Sequence, residues 1–187
     1  MTAHAAPLGP VWTDDPLHTA FSAGDARTAV AGCARRHGAA LGRLCMAWLG
    51  SQAEADEAVQ ETLLAAFDGF AAYRGDGSPA SWLYGIARHV CARRSELRGR
   101  SERLAAEAPR PDGVPGAEAL LDARRRSERV RRALGVLKPS ERDAVVLRFE
   151  GELSFREVGE ACGIDEAAAR KRVSRALERL RAEIGEE

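Results

Sequence analysis

Apolar residues recur at spacings of three and four along most of the chain, which is typical of amphipathic helices. Two short helices are predicted at 25–37 and 39–49, and they should pair as a hairpin. A longer helix is predicted from Ser51, because Ser51 and Glu54 form a capping-box pattern. Its apolar stripe comprises Ala55, Ala58, Val59, Leu63, Ala66, Phe67 and Phe70. The chain is poor in aromatic residues, at 5%, and rich in Ala, Leu, Glu and Arg, so the pattern predicts an all-α fold.

A loop is predicted where this periodicity first breaks. Residues 73–79 contain Gly75 and Gly77, and Ser78 and Pro79 suit the N-cap and the first position of a new helix. That helix should direct its apolar residues inward, and these are Trp82, Leu83, Ile86 and Val90. Arginines are concentrated towards its far end, so the surface charge becomes positive along the helix.

The organisation of the chain follows from a second break. Proline and glycine interrupt residues 101–119, and no apolar stripe survives there, which predicts a flexible linker. We therefore expect two small helical domains, at 15–100 and 120–187, after a disordered tail at 1–14.

The second domain is predicted to contain a helix-turn-helix. A helix starting at Pro139 should run through Val145, Val146, Leu147 and Phe149. Ser154 and Glu157 form another capping box, and Gly163 supplies the left-handed residue that ends the next helix. Asp165 then caps a helix that buries one side, formed by Ala169, Val173, Ala176, Leu177 and Leu180. Two short helices around a tight glycine turn, the second of them basic, indicate DNA binding.

Small residues at the start of the last helix, such as Ala167, allow close approach to a DNA major groove. Arginine and lysine can then chelate guanine edges, while neighbouring cations contact phosphates. The base-reading candidates are Arg170, Lys171 and Ser174. Arg175 and Arg156 are expected to contact the DNA backbone.

Charge is segregated along the chain although the totals balance at 28 basic and 28 acidic residues. Residues 51–68 carry five acidic side chains and no lysine or arginine, whereas 124–132 hold six arginines. The total therefore does not argue for nucleic-acid binding, but the distribution permits it. The acidic helix can also be read simply as a solvated face.

The sequence resembles the extracytoplasmic-function sigma factors, the smallest class of the bacterial sigma-seventy family. The first half carries the resemblance at 55–67, Phe70, 73–75 and 81–88. The second half carries it at 137–142, 147–149, Gly151, 153–160 and 163–164. Both motif sets stand in the family's order and are separated by its linker.

The resemblance implies a non-catalytic subunit that binds core RNA polymerase and directs it to promoter DNA. The acidic helix would bind the polymerase through Asp56, Glu57, Gln60 and Glu61. The downstream promoter element would be bound by Tyr73, Arg74, Ser78, Arg88, His89 and Arg93. The upstream element would be bound by Arg156, Ala167, Arg170, Lys171, Ser174 and Arg175. An anti-sigma partner is also expected by resemblance, whereas no catalytic residue, cofactor or metal is.

Two positions depart from the family pattern in the downstream-element helix. His89 stands where members usually have asparagine, and Arg93 stands where an aspartate is expected. The preference for the downstream element should therefore be unusual.

Three other readings of the residues stay open at this point. A stand-alone helix-turn-helix regulator would explain the second domain but would leave the acidic helix without a task. A small hydrolase or metal enzyme lacks any recognisable nucleophile, phosphate or His-Glu-x-x-His motif. Five residues could gather around a metal or act as a redox switch, namely Cys33, His37, Cys45, His89 and Cys91.

The expected compartment is the cytoplasm, without membrane insertion. No apolar run approaches the roughly 20 residues that a membrane span requires. The N-terminus also lacks a basic stretch followed by an apolar core. The four cysteines form no Cys-x-x-Cys pair, so a disulfide framework is not indicated.

Overall fold

The structure is a computed structural model that describes residues 16–105 and 134–185. Within these ranges all regular structure is helical, which confirms the predicted fold class. The helices are α1 (Pro16–Ser22), α2 (Ala26–Leu49), α3 (Gln52–Asp68), α4 (Pro79–Ala105), α5 (Pro139–Phe149), α6 (Phe155–Cys162) and α7 (Glu166–Gly185). The tail at 1–14, most of the predicted linker, the start of the second domain at 120 and the arginines at 124–132 lie outside the described residues.

The hairpin predicted at 25–49 is wrong, because both predicted helices belong to the continuous helix α2. Asp25 caps its start by accepting a hydrogen bond from the Thr28 backbone N–H at 3.1 Å. Gly50, with φ of 71°, ends it in the left-handed conformation. The pattern indicated a break at Gly38, but one interior glycine costs only about 1 kcal/mol relative to alanine. Burial of one side of α2 offsets that cost.

Helix α1 is an element that the patterning did not predict. Leu17 and Ala20 are buried, and Phe21 packs against the same core. The i, i+3, i+4 spacing of these three residues is the helical signal, but α1 is only seven residues long. Its stability therefore comes from its contact with α2 rather than from helix propensity.

Helix α3 packs through a stripe of small residues between α2 and α4. Its buried positions are Ala55, Ala58, Thr62 and Ala66, and the Thr62 hydroxyl donates to the Ala58 carbonyl at 2.7 Å. The prediction that Phe67 points inward is wrong, because the side chain is 49% exposed. The buried stripe is therefore centred on the small residues, one position along the helix from the larger apolar residues. Small side chains are favoured there because they allow neighbouring helices to approach closely.

Helix α4 begins as predicted and ends later than predicted. The Ser78 hydroxyl accepts a hydrogen bond from the Ser81 N–H at 3.1 Å, and Pro79 occupies the first helical position. Leu83, Ala87 and Val90 are buried. The helix continues to Ala105, so the first residues of the predicted linker are helical.

The second half contains the predicted helix-turn-helix, formed by α6, the turn at Gly163 and α7. The Ser154 hydroxyl accepts from the Glu157 N–H at 3.3 Å, and the Glu157 carboxylate accepts from the Ser154 N–H at 2.9 Å. Gly163 has φ of 66°, and Asp165 caps α7 by accepting from the Ala168 N–H at 2.6 Å. The predicted helix through Val145, Val146, Leu147 and Phe149 is α5, in which the first three are buried and Phe149 is 56% exposed.

The two halves pack against each other through α4 and α6, with a smaller contact between α2 and α5. The helices α4 and α6 approach closely at Gly85. A Cβ atom there would lie 3.3 Å from the Ala161 carbonyl oxygen and 3.5 Å from its Cα. The side chain of Tyr84 beside it is almost fully buried. The absence of a side chain at position 85 thus sets the separation of the two halves.

Two glycine substitutions should change stability in opposite directions. Gly163→Ala should lower the free energy of unfolding by about 1 kcal/mol, because alanine is disfavoured at positive φ although open space surrounds the position. Gly38→Ala should raise it by up to about 1 kcal/mol, because alanine has the higher helix propensity and meets no neighbour there. Urea denaturation followed by circular dichroism measures both. If both substitutions changed the free energy of unfolding in the same direction, the backbone conformations assigned to Gly163 and Gly38 would be wrong.

Candidate functional site

The acidic face of α3 is joined to α4 by a network of ion pairs. Arg94 contacts Glu57 at 2.8 Å and Glu61 at 2.9 Å, and Arg98 contacts Glu54 at 2.6 Å. Arg93 also pairs with Glu61. The carboxylates predicted to bind polymerase are therefore partly neutralised within the protein. The sequence did not show this, because the partners are more than thirty residues apart.

The four predicted polymerase-binding residues differ in how free they are to meet a partner. Asp56 and Gln60 are exposed, and Asp56 accepts a hydrogen bond from the Gln52 side chain at 2.8 Å. The Glu57 side chain is 66% exposed, whereas that of Glu61 is 28% exposed. Leu64, one turn beyond Gln60, is also strongly exposed. The face is thus a mixed acidic and apolar surface rather than a purely charged one.

The loop at 73–79 is held by an aromatic cluster. The ring centroid of Tyr73 lies 4.7 Å from that of Phe21 and 5.2 Å from that of Trp82. The Tyr73 hydroxyl donates to the Gly77 carbonyl at 2.6 Å, and Gly75 has a positive φ of 77°. Phe21 belongs to α1, so the unpredicted helix positions the predicted DNA-binding loop. Trp82 contributes to the cluster rather than standing free as a stacking platform.

A cleft of about 500 Å³ lies between this loop and the second half. Tyr73, Arg74 and Ser78 line it from the first half, and Arg156 lines it from α6. Arg74 is exposed, whereas Ser78 is half-buried. Residues assigned from sequence to two different DNA elements therefore face one cleft.

The remaining predicted downstream-element residues, Arg88, His89 and Arg93, lie along α4. Arg88 is mostly buried at the contact with the second half, where it lies 3.4 Å from Asp143 and donates to the Ala161 carbonyl at 3.3 Å. Its Nη2 lies 3.0 Å from His89 Nε2, which accepts because arginine can only donate. Partial burial, and then the positive charge of Arg88, lower the pKa of His89. Arg93 is paired with Glu61 on the acidic face.

The basic face of α7 is exposed, as a DNA-reading helix requires. Lys171, Ser174 and Arg175 are exposed, and so is Ala167 at the start of the helix. Arg170 is held by two contacts, since it lies 2.8 Å from Glu166 and 4.6 Å from the centroid of the Phe155 ring. The Ser174 hydroxyl is 3.2 Å from Glu178. The helix therefore presents its cations with Arg170 already oriented.

Sequence reasoning missed the acidic residues of the second half that face the first. The Glu157 carboxylate accepts from the Ser78 hydroxyl at 2.7 Å, and the Glu160 carboxylate accepts from the Ser81 hydroxyl at 2.8 Å. Arg43 of α2 pairs with Glu150 at 3.5 Å. Spacing along the chain gives no signal for contacts of this separation, and only the capping role of Glu157 was visible in the sequence.

The cysteines do not assemble the metal site that the sequence left open. Among the described residues, no three side chains of His, Cys, Asp or Glu could together hold a metal ion. Cys33, Cys45 and Cys91 are buried, and burial raises the pKa of the Cys33 thiol to about 11. No helix within 16–105 or 134–185 has the length and hydropathy needed to span a membrane.

Family comparisons match both halves of the chain. Residues 33–101 match the family model described as Sigma-70 region 2, and residues 127–180 match Sigma-70, region 4. The ECF RNA polymerase sigma factor SigM of Mycobacterium tuberculosis is 31% identical over 173 residues, which cover 92% of this chain and 85% of that protein. SigD of the same organism is 33% identical over 149 residues, covering 76% and 70%.

Solved structures share the fold. CnrH, in complex with the cytosolic domain of CnrY, superposes with a TM-score of 0.66 at 22% identity, covering 91% of this chain and 96% of that one. The sigma factor RpoE of Bartonella quintana, in complex with the anti-sigma factor NepR, gives a TM-score of 0.56 at 23% identity, covering 76% and 88%. The chain therefore shares its arrangement of helices with CnrH and with the sigma factor RpoE.

The charge of Glu157 should stabilise the protein in a pH-dependent way. Partial burial acts to raise the pKa of Glu157, but hydrogen bonds donated by the Ser154 backbone and by the hydroxyls of Ser78 and Ser154 outweigh it and hold the pKa below its usual 4.5. Such a group adds stability above its unfolded pKa and loses it as the pH falls through its folded pKa. The stability difference between wild type and Glu157→Gln should therefore be largest above about pH 5 and shrink towards lower pH.

Urea denaturation across a pH series measures this difference. Glu183→Gln, on the exposed end of α7, controls for the loss of one negative charge from the same half. If the difference in stability between wild type and Glu157→Gln did not depend on pH, the charge of the Glu157 carboxylate would not be the source of the stabilisation.

Proposed function

The chain belongs to the extracytoplasmic-function group of the sigma-70 family, and from this membership we propose which of its surfaces meet core RNA polymerase and promoter DNA. As a family member it is an RNA polymerase sigma factor, a subunit that directs the polymerase to promoters. The observation that carries the assignment is the presence of both sigma regions in one chain, in order and on the shared fold. A stand-alone helix-turn-helix regulator is not favoured, because it would not account for the region 2 match.

The exposed face of α3 is proposed to bind the polymerase. Asp56, Glu57 and Gln60 are available to cationic and polar groups, and Leu64 adds apolar surface beside them. Glu61 is assigned a second role, because its ion pairs with Arg93 and Arg94 also join α3 to α4. A change at Glu61 would therefore disturb the helix pair as well as the interface.

The loop at 73–79 and the start of α4 are proposed to bind the downstream promoter element. Opening a duplex there exposes an unstacked base, whose few kcal/mol of lost stacking must be recovered by protein contacts. Tyr73 and Arg74 supply an aromatic ring and a cation, and Ser78 adds a hydroxyl at the helix start. Arg88, His89 and Arg93 are assigned to the same element further along α4, although Arg88 faces the second half and Arg93 pairs with Glu61. His89 and Arg93 replace the family's usual residues, so we expect an altered base preference.

The helix α7 is proposed to read the upstream promoter element as duplex DNA. Arg170, Lys171 and Ser174 are proposed to contact base edges, with Ala167 allowing close approach to the groove. Arg175 and Arg156 are assigned to phosphates. The stacking of Arg170 on Phe155 supports this role, because an oriented guanidinium loses less entropy on binding.

The remaining assignments follow from family membership. We infer that the protein acts without catalytic chemistry of its own, works in the cytoplasm beside the polymerase, and is controlled by an anti-sigma protein. The two superposed structures support the last point, since RpoE is bound to the anti-sigma factor NepR and CnrH is bound to CnrY. Transcription from a promoter library with purified core polymerase tests the assignment as a whole, and failure to select start sites would overturn it.

The charge reversal Asp56→Lys should weaken binding to core polymerase by roughly tenfold, because a positive charge would then meet the proposed cationic partner. Asp56 is chosen because it takes no part in the ion pairs between α3 and α4 shown above. Asp68→Lys, on the same helix and also exposed, is the matched control. Fluorescence anisotropy of labelled protein titrated with core polymerase measures both. Equal affinities for the two variants would contradict the proposed surface.

Substitutions on α7 should separate base reading from phosphate binding. Arg170→Ala and Lys171→Ala should each cost about 1 to 3 kcal/mol at particular upstream base pairs and relax specificity there. Arg175→Ala should weaken binding to all sequences alike and reduce the salt dependence. Holoenzyme binding to duplexes with single base changes, at two salt concentrations, measures these effects. Uniform losses for all three variants would argue against base reading by Arg170 and Lys171.

A further inference from the structure

Arg170 differs from the exposed cations beside it on α7, because two neighbouring side chains hold its guanidinium. Its Nη2 donates to the Glu166 carboxylate at 2.8 Å, and its Cζ lies 4.6 Å from the centroid of the Phe155 ring. Within residues 16–105 and 134–185, no ion pair or ring contact involves Lys171 or Arg175. Of these three cations, Arg170 is therefore the one that is oriented before DNA binds.

The Phe155 ring is itself held in place. It is half-buried and packs against the hydrophobic core. The guanidinium of Arg148, in α5, lies 5.1 Å from the same ring centroid and donates to the Leu153 carbonyl at 2.8 Å. Cations favour the face of an aromatic ring because its quadrupole is negative there. The ring is thus a fixed platform that restricts the movement of Arg170.

The two contacts leave most of the hydrogen-bonding capacity of Arg170 free. Arginine has five N–H donors, and the contact with Glu166 uses one of them, on Nη2. The Arg170 side chain is 62% exposed. To read guanine, one guanidinium must donate to both O6 and N7 in the major groove. An arginine that is already oriented and still has free donors meets this requirement with a smaller loss of entropy than a mobile one.

The Glu166 carboxylate also changes what Arg170 attracts. Glu166 is the first residue of α7, and its side chain is 50% exposed. Its negative charge offsets that of the adjacent guanidinium and repels a DNA phosphate that approaches the same place. A guanine edge carries no net charge, so this repulsion acts mainly on phosphates. Glu166 therefore opposes sequence-independent contact with the DNA backbone more than it opposes base contact.

We propose that Phe155 and Glu166 are positioning residues for Arg170, and that Glu166 determines specificity by keeping Arg170 from binding phosphates. The inference rests on the proposed function, because it requires that Arg170 read bases of the upstream element. Arg170 then contributes to binding mainly at its own base pair. An acidic residue at the start of α7 lowers the total affinity for DNA while it raises the selectivity.

Glu166→Gln removes the charge and keeps the size of the side chain. The full-length chain without polymerase should bind a fluorescein-labelled duplex of random sequence about threefold more tightly than wild type, because Arg170 can then reach a phosphate. The slope of log K against log salt should steepen by up to about 0.9, the value for one phosphate contact. Glu183→Gln, at the exposed end of α7, is the matched control and should leave the slope at the wild-type value. Fluorescence anisotropy at several salt concentrations measures both variants.

Base discrimination is measured with the holoenzyme on duplexes that carry single base changes in the upstream element. The position read by Arg170 is the one whose base preference is lost in Arg170→Ala. There, Glu166→Gln and Phe155→Leu should each reduce the preference about fivefold, the lower end of what a bidentate contact supplies. Phe155→Tyr keeps the ring and should retain the preference. Urea denaturation checks that Phe155→Leu is folded in the assay.

Combined substitutions test whether Glu166 acts through Arg170. In the Arg170→Ala background, Glu166→Gln should change neither the salt dependence nor any base preference, because no guanidinium is left for the carboxylate to orient. If Glu166→Gln had the same effect with and without Arg170, the carboxylate would act only through its own charge. That result would overturn the inference.

Two outcomes separate this inference from the proposed function. If Arg170→Ala relaxes one base preference while Glu166→Gln and Phe155→Leu leave it at the wild-type value, the inference is wrong and base reading by α7 still stands. If Arg170→Ala lowers the affinity equally on every sequence, base reading by Arg170 is wrong and the inference fails with it.

Discussion

The close approach of α4 to α6 is the constraint on which the rest of this structure depends. Gly85 favours this approach, because a Cβ atom there would lie 3.3 Å from the Ala161 carbonyl oxygen and 3.5 Å from its Cα. Once the helices are in contact, Arg88 meets Asp143, and the start of α4 meets Glu157 and Glu160. Burial raises the pKa of Asp143, although the neighbouring charge of Arg88 opposes this. The contact thus places charged groups where their desolvation must be offset by partners.

The same helix explains why the surfaces of this sigma factor are not independent. The first turn of α4 follows the loop at 73–79, and Arg88 further along faces the second half. Arg94 and Arg98, in the turns after Arg88, pair with the acidic face of α3. Arg93 illustrates the consequence, since a residue assigned to DNA pairs with Glu61 on the surface assigned to polymerase. On the proposed assignments, a partner bound at either surface would compete with this ion pair. The charges in α3 and α4 therefore have alternative partners within one small fold.

Local signals in the sequence predicted the local structure well. The capping pairs at Ser78, Ser154 and Asp165 and the left-handed Gly163 are found where they were expected, because each depends on neighbours three or four residues away. Errors occurred where packing decided the outcome. Gly38 does not break α2, and Phe67 is exposed because smaller residues of α3 allow a closer helix contact. The candidate site also divides into local and long-range features. The sequence pattern predicted the exposed cations of α7, but it gave no sign of the acidic contacts between the second half and the first.

Those hidden contacts change how the balanced net charge should be understood. A sigma factor must bind DNA, yet this chain carries as many acidic as basic residues. Part of the acidic charge lies on α3, and another part lies on the side of the second half that is opposed to the first. Carboxylates in this second group are paired with a guanidinium and with hydroxyl donors of the first half, so part of the acidic charge is balanced inside the fold. The overall neutrality therefore combines acidic residues that are paired within the fold with basic residues that stay exposed on α7.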